Sequence, residues 1–281
     1  MSIYVITVAT HNKGYLEVLK TGCENGGMQF IILGYGEKWG GLIWKFHKMR
    51  EFLNSVNLQP DDLVVFVDGY DTLCINNANR LKAKFYALKT NILISQDIKY
   101  VNSPLYDYFH NRIFGNCNND YINTGMYMGF FPYVKKLINT ICTKSDCLDA
   151  KLNDQVEMTK LCKVADPFYI ANVKIDTENT IFLNLVANKL NIHDNDIVKA
   201  TNCGKLTLVN GNDIVFVSGP NNTDLSPILK LYNFEHTGLF RNRSSEVFIK
   251  IGDYAKYVIP EIIIITLIIL IILFFIFKRA R

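Results

Sequence analysis

Apolar residues come in short, compact blocks along this chain, and the segments between them carry helical spacing. Ile3–Ala9, Gln29–Gly34 and Val64–Val67 are runs rich in Ile, Val, Leu and Phe. Between them, Asn12–Lys20 sets Tyr15, Leu16 and Leu19 at helical intervals, and Lys45–Val56 reads as a second helix. Runs that are apolar on both faces belong to strands covered on both sides. The order strand–helix–strand–helix–strand therefore predicts an α/β fold with a mostly parallel central sheet. Further on, Asn77–Leu88, Val134–Thr143 and Leu152–Cys162 read as helices, and Asn91–Ser95, Val173–Asp176 and Ile214–Val217 as strands. Tyr121–Phe130 reads as a turn at Asn123-Thr124-Gly125 followed by a strand. Ile98–Asp120 is polar, aromatic and without period, as expected of a loop over a site or around an acceptor.

The pattern changes at the end of the chain. From Ile262 to Phe277 every residue except Thr266 is apolar, and Tyr257-Val258-Ile259 extends the run backward. Taken from Tyr257, it approaches the ~20 residues that cross a ~30 Å hydrocarbon core. It has no polar face, so a buried core helix is disfavoured. The expectation is a folded domain over 1–235, a stem over 236–256 within the looser stretch Leu225–Tyr257, a transmembrane helix over 257–277 and a basic tail over 278–281. Met1–Thr10 lacks the basic and apolar regions of a signal sequence and reads as a first strand. The simplest topology is a single C-terminal anchor with the folded domain on the cytosolic side.

Charge and cysteine content narrow the classes. The 281 residues carry a formal charge of +4, spread without a dense basic run before the last residues, which gives nucleic-acid binding no support. Seven cysteines, an odd number with no Cys-x-x-Cys pair, argue against structural zinc and a complete disulfide framework. Reduced cysteines are the expectation.

The chemistry gathers where strands end. Val64–Val67 runs straight into Asp68-Gly69-Tyr70-Asp71. A buried strand excludes charge, so both acids belong at its carboxyl end, the edge where ligands bind in open α/β sheets. Two carboxylates across a turn suit a hard cation such as Mn²⁺ or Mg²⁺. Other strand ends carry Thr10-His11-Asn12-Lys13, a glycine-rich loop with Trp39, Asn123-Thr124, Asn153-Asp154-Gln155 and Ser218-Gly219-Pro220. Each alone has a plainer reading: Asn153 as a helix cap, Asn123-Thr124-Gly125 as a turn, Trp39 as packing, His11 as an exposed loop residue.

Their order along the chain is more specific. Thr7–Thr10 with Gly14-Tyr15-Leu16, Leu33–Gly41 around Trp39, the lysine-led helix from Lys45, Phe66–Asp71, Ile122–Gly125 and Asn153–Gln155 resemble, in sequence and order, the glycosyltransferase domain of the procollagen lysyl hydroxylase/glucosyltransferase (PLOD) family. The resemblance covers roughly residues 3–235. It implies a GT-A-like (Rossmann-like) fold, a UDP-glucose or UDP-galactose donor, Mn²⁺, and a hydroxyl-bearing acceptor of hydroxylysine or other protein type. By position it implies Thr10, Trp39, Lys45 and Tyr70 at the nucleotide part of the donor. It puts Asp68 and Asp71 on the metal, and Asn123 and Asp154 near the transferred sugar. Two features depart from the family. The histidine that follows its last strand is not matched in Val215–Asn221, and the aspartate run before its glutamine is reduced to Asn153 and Asp154. The matched stretches lead directly into the apolar run, so no lysyl hydroxylase activity is expected.

Overall fold

The computed structural model describes residues 1–97, 104–185, 197–202, 204–220, 223–234, 259, 263–264 and 266–271. The chain divides into two compact units, Met1–Lys99 with Phe114–Leu239, and Tyr100–Ile113 with Phe240–Arg281. In chain order the elements are β1 (Ile3–Val8), α1 (Leu16–Asn25), β2 (Gln29–Leu33), α2 (Trp44–Ser55), β3 (Leu63–Val67), β4 (Thr72–Cys74), α3 (Ala78–Ala87), β5 (Ile92–Gln96) and α4 (Pro104–Phe114). There follow β6 (Ile122–Phe130), α5 (Phe131–Lys144), α6 (Asp154–Lys163), α7 (Pro167–Asn172), β7 (Val173–Asp176), β8 (Phe182–Asn184), β9 (Val198–Ala200), β10 (Leu206–Leu208), β11 (Phe216–Ser218) and α8 (Ser226–Leu231).

In the first unit the main sheet has the order β2-β1-β3-β6-β5-β7. The β2–β1, β1–β3 and β5–β7 pairs are parallel, whereas β6 runs antiparallel to both neighbours. The sheet is thus mostly parallel, and the reversed strand has a consequence for the site. The amino end of β6 lies at the same edge as the carboxyl ends of β3 and β5, so Asn123 and Thr124 meet Asp68 there. Alternate residues of each strand feed opposite cores. Ile6, Val64, Phe66 and Ile94 pack with α2, α5 and α6, while Val5, Val65, Val67 and Leu93 pack with α1 and α3. This two-sided burial, at ~1.5–3 kcal/mol per large apolar side chain, explains the unbroken apolar runs.

A second sheet, β4-β11-β8, covers a third apolar cluster with Tyr15, Val18, Ile228 and Leu229. The Leu225 N–H donates to the Tyr15 hydroxyl at 3.0 Å. Leu225–Leu231 is therefore packed structure, a correction to the looser stretch expected from Leu225 onward. Helix α1 also begins later than its spacing predicts. Gly14 has φ +57° and lies so close to the Tyr70 carbonyl that a Cβ would collide with it. The Tyr15 N–H then donates to that carbonyl at 3.0 Å, and this tether delays the helix to Leu16.

Two other expectations change. Asn123-Thr124-Gly125 is not a turn but lies within β6, where the β5–β6 register shifts between Ile94↔Tyr127 and Ser95↔Asn123. Of the six cysteines among the described residues four are paired, Cys117–Cys162 and Cys142–Cys147, with Cα–Cα separations of 5.7 and 5.3 Å. The pairing overturns the expectation of reduced cysteines: Cys142 and Cys147 meet locally at the end of α5, whereas Cys117 and Cys162 meet across 45 residues of chain. Cys23 and Cys74 are free and buried.

In the second unit, α4 replaces part of the stretch read as irregular. Its other described residues, Ile259, Ile263–Ile264 and Thr266–Ile271, are helical, and the apolar ones among them are exposed. Among the described residues no helix is long and apolar enough to cross a membrane. The rest of the expected span, 257–258, 260–262, 265 and 272–277, lies outside the described residues, as do the expected stem and the basic tail.

Candidate active site

At the carboxyl edge of the main sheet two of the expected acids meet the expected lysine. Lys45 lies in the first turn of α2 and is buried. Its Nζ stands 3.0 Å from Asp68 Oδ1 and 2.7 Å from Asp154 Oδ2. Asp154 opens α6, whose N-cap Asn153 accepts the Gln155 and Val156 N–H groups at 2.9 and 3.2 Å. The plain cap reading of Asn153 therefore holds, and the cap aims the next residue, Asp154, inward. Thr124 from β6 donates its hydroxyl to Asp154 Oδ2 at 2.9 Å. Gly125 has no side chain for good reason, because a Cβ would lie 2.8 Å from Asp68 Oδ2.

The electrostatics follow from burial. Desolvation alone would lower the Lys45 pKa, but Asp154 and Asp68 outweigh it and hold it above its ordinary value. Burial raises the Asp68 carboxyl and nearby Asp154 adds to this, against the pull of Lys45. A third of the Asp68 side chain is accessible (34%), so water relieves part of that penalty. Tyr127 stacks on Phe66 at 5.0 Å, and its hydroxyl is buried without a hydrogen bond among the described residues. Burial and then Asp154 and Asp68 push its pKa well up, keeping it neutral.

Tyr70 ties the loop after β1 to the turn after β3. Its hydroxyl accepts the N–H groups of Thr10 at 3.0 Å and His11 at 3.4 Å. The Lys13 ammonium lies 5.6 Å from the ring centroid. Tyr70 thus shapes the loop holding Thr10, while Trp39 is the exposed aromatic. Trp39 is 42% accessible and stands edge-on to the buried Trp44 at 5.6 Å. Asp71 is half-buried, and its carbonyl accepts the Gly219 N–H at 2.7 Å. That contact brings the end of β11 beside the Asp68–Asp71 turn, with Ser218 in register with Thr72.

Asn123 joins a second group that the motifs did not reveal. Asp97, just beyond β5, accepts the Asn123 amide at 3.3 Å and the Gln155 amide at 3.2 Å. Asp97 stands at a strand end like Asp68, and that position was its only sequence signal. The structure therefore brings together Lys45, Asp68 and Asp154, and links Thr10 with Tyr70 and Asn123 with Asp97. Trp39 stands apart from both groups, edge-on to Trp44.

Among the described residues no group of three His, Cys, Asp or Glu side chains is placed to hold a metal ion. The donors that are present still suit one. Mg²⁺-type sites commonly use one or two carboxylates plus substrate phosphates and water. Asp68 and Asp71 supply two such oxygens, and the buried hydroxyls of Thr7 and Thr72 beside their turn lack a hydrogen-bond partner among the described residues.

Residues 1–227 match the family described as PLOD GT domain. The chain belongs to that family. It is accordingly a glycosyltransferase domain, as its ordered motifs implied. Relatives include a multifunctional procollagen lysine hydroxylase and glycosyltransferase of Caenorhabditis elegans, 23% identical over 194 residues, covering 65% of this chain and 26% of that protein. A procollagen-lysine,2-oxoglutarate 5-dioxygenase of Drosophila melanogaster is 26% identical over 194 residues, covering 65% and 25%. The matched region thus spans about a quarter of the length of these curated relatives. Among solved structures, a glycosyltransferase involved in glycosylation of the major capsid of PBCV-1 aligns over 83% of this PLOD GT chain and 100% of its own, at 10% identity and TM-score 0.43.

Proposed function

We propose that this PLOD GT chain is a membrane-anchored, Mn²⁺- or Mg²⁺-dependent hexosyltransferase that moves glucose or galactose from a UDP-sugar to a hydroxyl group on a protein acceptor. The observation that carries the reading is the convergence of Asp68, Lys45 and Asp154 at the carboxyl end of β3, with Asp71 at the same turn. Asp68 and Asp71 would hold the ion, which as a Lewis acid offsets charge developing on a diphosphate leaving group. Lys45 supplies a fixed positive charge at that spot, kept in place by Asp154. Trp39 offers an exposed flat face to the uracil. Tyr70 fixes the loop that carries Thr10, and Asn123 with Asp97 would line the side where the sugar sits.

The layout proposed is a catalytic domain over 1–235, a stem over 236–256 and an anchoring helix over 257–277, supported by the apolar run of the sequence. The disulfides Cys117–Cys162 and Cys142–Cys147 support a domain facing an oxidising compartment rather than the cytosol. One observation favours a second reading, a nucleotide-sugar binder without turnover: buried Ser218 stands where the family's histidine is expected.

Hydrolysis of UDP-glucose and UDP-galactose by the full chain in detergent, with and without Mn²⁺, tests both readings. Transferase action predicts Mn²⁺-dependent release of UDP that falls at least ~100-fold in Asp71→Ala, as when a transition-state charge partner is lost. Turnover undiminished by that substitution would sink the metal assignment. Binding of UDP-sugar without any release of UDP would favour the second reading.

A further inference from the structure

Lys45 does more than stand near the proposed metal ligand; it occupies it. Its Nζ donates to both oxygens of Asp68, at 3.0 and 3.4 Å, and also reaches Asp154 Oδ2 at 2.7 Å. An ammonium has three donors, and here the two carboxylates take them. Lys45 engages one lone pair on each oxygen of Asp68, so a divalent ion arriving there must share the carboxylate with the ammonium or displace it. The contact to Asp154 differs in kind. It is the shorter one, Asp154 is further held by the Thr124 hydroxyl, and the side chains of Lys45 and Asp154 are only 8% and 5% accessible. Asp68, by contrast, is the open member of the group at 34%.

We infer that Lys45 is an exchangeable occupant of the metal site, a positioning residue that covers Asp68 when no donor is bound and yields it when ion and diphosphate arrive together. The inference rests on the reading of Asp68 and Asp71 as the metal-holding pair. Asp154 keeps hold of Lys45 through the exchange, so the ammonium turns from Asp68 toward the incoming phosphates without being released to solvent. The concerted route follows from the need of Lys45 for another anionic partner once it leaves Asp68. Asp68, Asp71 and Asp154 against Lys45 leave two negative charges, which one divalent ion cancels. The diphosphate then supplies the partner that Lys45 gives up at Asp68. Ion and nucleotide should therefore bind with strong mutual dependence, and the ion alone should bind weakly.

Mn²⁺ binding to the full chain, followed by the electron paramagnetic resonance of free Mn²⁺ with and without UDP, tests this. In the wild type, UDP should tighten Mn²⁺ by a factor within the usual ~5–150-fold range of coupled sites. In Lys45→Met, Mn²⁺ alone should bind roughly tenfold tighter than in the wild type, and most of the coupling to UDP should vanish. Mn²⁺ should also raise the melting temperature of Lys45→Met more than that of the wild type, because an ion that binds only the folded state stabilises it. Equal or weaker Mn²⁺ binding by Lys45→Met overturns the inference while leaving the metal assignment standing. If Lys45→Met does not fold, the wild type decides alone: Mn²⁺ affinity that UDP leaves unchanged overturns the exchange. Mn²⁺ binding by neither protein, even with UDP, overturns the metal assignment and the exchange with it.

Discussion

Asp213 and Lys45 each centre a three-membered ion cluster, and the two clusters settle their charge in opposite ways. At Asp213 one carboxylate meets two cations. Arg80 approaches it through two nitrogens at 2.6 and 2.7 Å and Lys84 at 3.0 Å, with the Asn76 amide at 3.2 Å. Half of the Arg80 side chain is exposed (51%), so water shares the load. The carboxyl is held well below its usual range, chiefly by the hydrogen bond from Arg80. At Lys45 one cation meets two carboxylates, in a place where water reaches only Asp68 to any extent. The Asp213 cluster has an anion whose lone pairs are all engaged, and it pins α3 to the segment before β11. The Lys45 cluster has acid to spare and one accessible oxygen donor, the condition in which a further cation can bind. The same residue types make a structural tie in one place and a candidate site in the other because burial and the ratio of charges differ.

The sharpest test of that contrast is functional. Asp68→Asn should lower Mn²⁺-dependent UDP-sugar hydrolysis by ~100-fold or more, as for removal of a transition-state charge partner, and Asp213→Asn should leave it unchanged. Comparable losses in both would erase the distinction. Stability should separate the clusters next. Lys45→Met leaves buried Asp154 and partly accessible Asp68 without their cation and should cost ~3–5 kcal/mol. Arg80→Met at the exposed pair should cost ~0–1 kcal/mol, both read from urea unfolding midpoints. Asn153→Ala should fall between, at about 1 kcal/mol for a lost N-cap, and should also reduce hydrolysis because the cap aims Asp154.

The smallest expected effect is on the pH dependence of unfolding, where the clusters should have opposite signs. The folded Asp213 carboxyl titrates below its unfolded value of ~3.9. Its stabilisation is complete above that value and lost as pH falls toward the folded pKa. The folded Asp68 carboxyl titrates above its unfolded value, because burial disfavours its charge. It therefore imposes a penalty at neutral pH that is relieved as pH falls through its folded pKa. Asp213→Asn should flatten the acid loss of stability, whereas Asp68→Asn should steepen it. Urea midpoints measured from pH 3 to 7 would show this, and changes of the same sign would break the comparison.

Much of the fold could be read from the chain. β1, β2 and β3 fall where their apolar runs lie, because strands buried on both faces tolerate few polar residues. Asp68 at a strand end and Asn153 as a cap were legible for equally local reasons. Other features depended on distant partners. The late start of α1 comes from a hydrogen bond between Tyr15 and Tyr70. The apparent turn at Asn123 became part of a strand because β5 pairs with it at Ser95 and the Asp68 N–H donates to the Gly125 carbonyl. Asp97 gained its place by meeting Asn123 and Gln155, residues 26 and 58 positions away. The Cys117–Cys162 disulfide likewise joins residues 45 positions apart.

The carboxylates of Asp68 and Asp71, their position after a buried strand and the order of the motifs belong to the chain as written. Local burial dictates where charge is allowed along a sheet, and an ordered motif series survives without knowledge of contacts. The role of Lys45 did not belong to that level. The sequence suggested a cation facing phosphate, and folding set it between Asp68 and Asp154, because α2, β3 and α6 converge at one edge. A charge acquires its function from the neighbours it meets after desolvation, and those neighbours are 23 and 109 residues away.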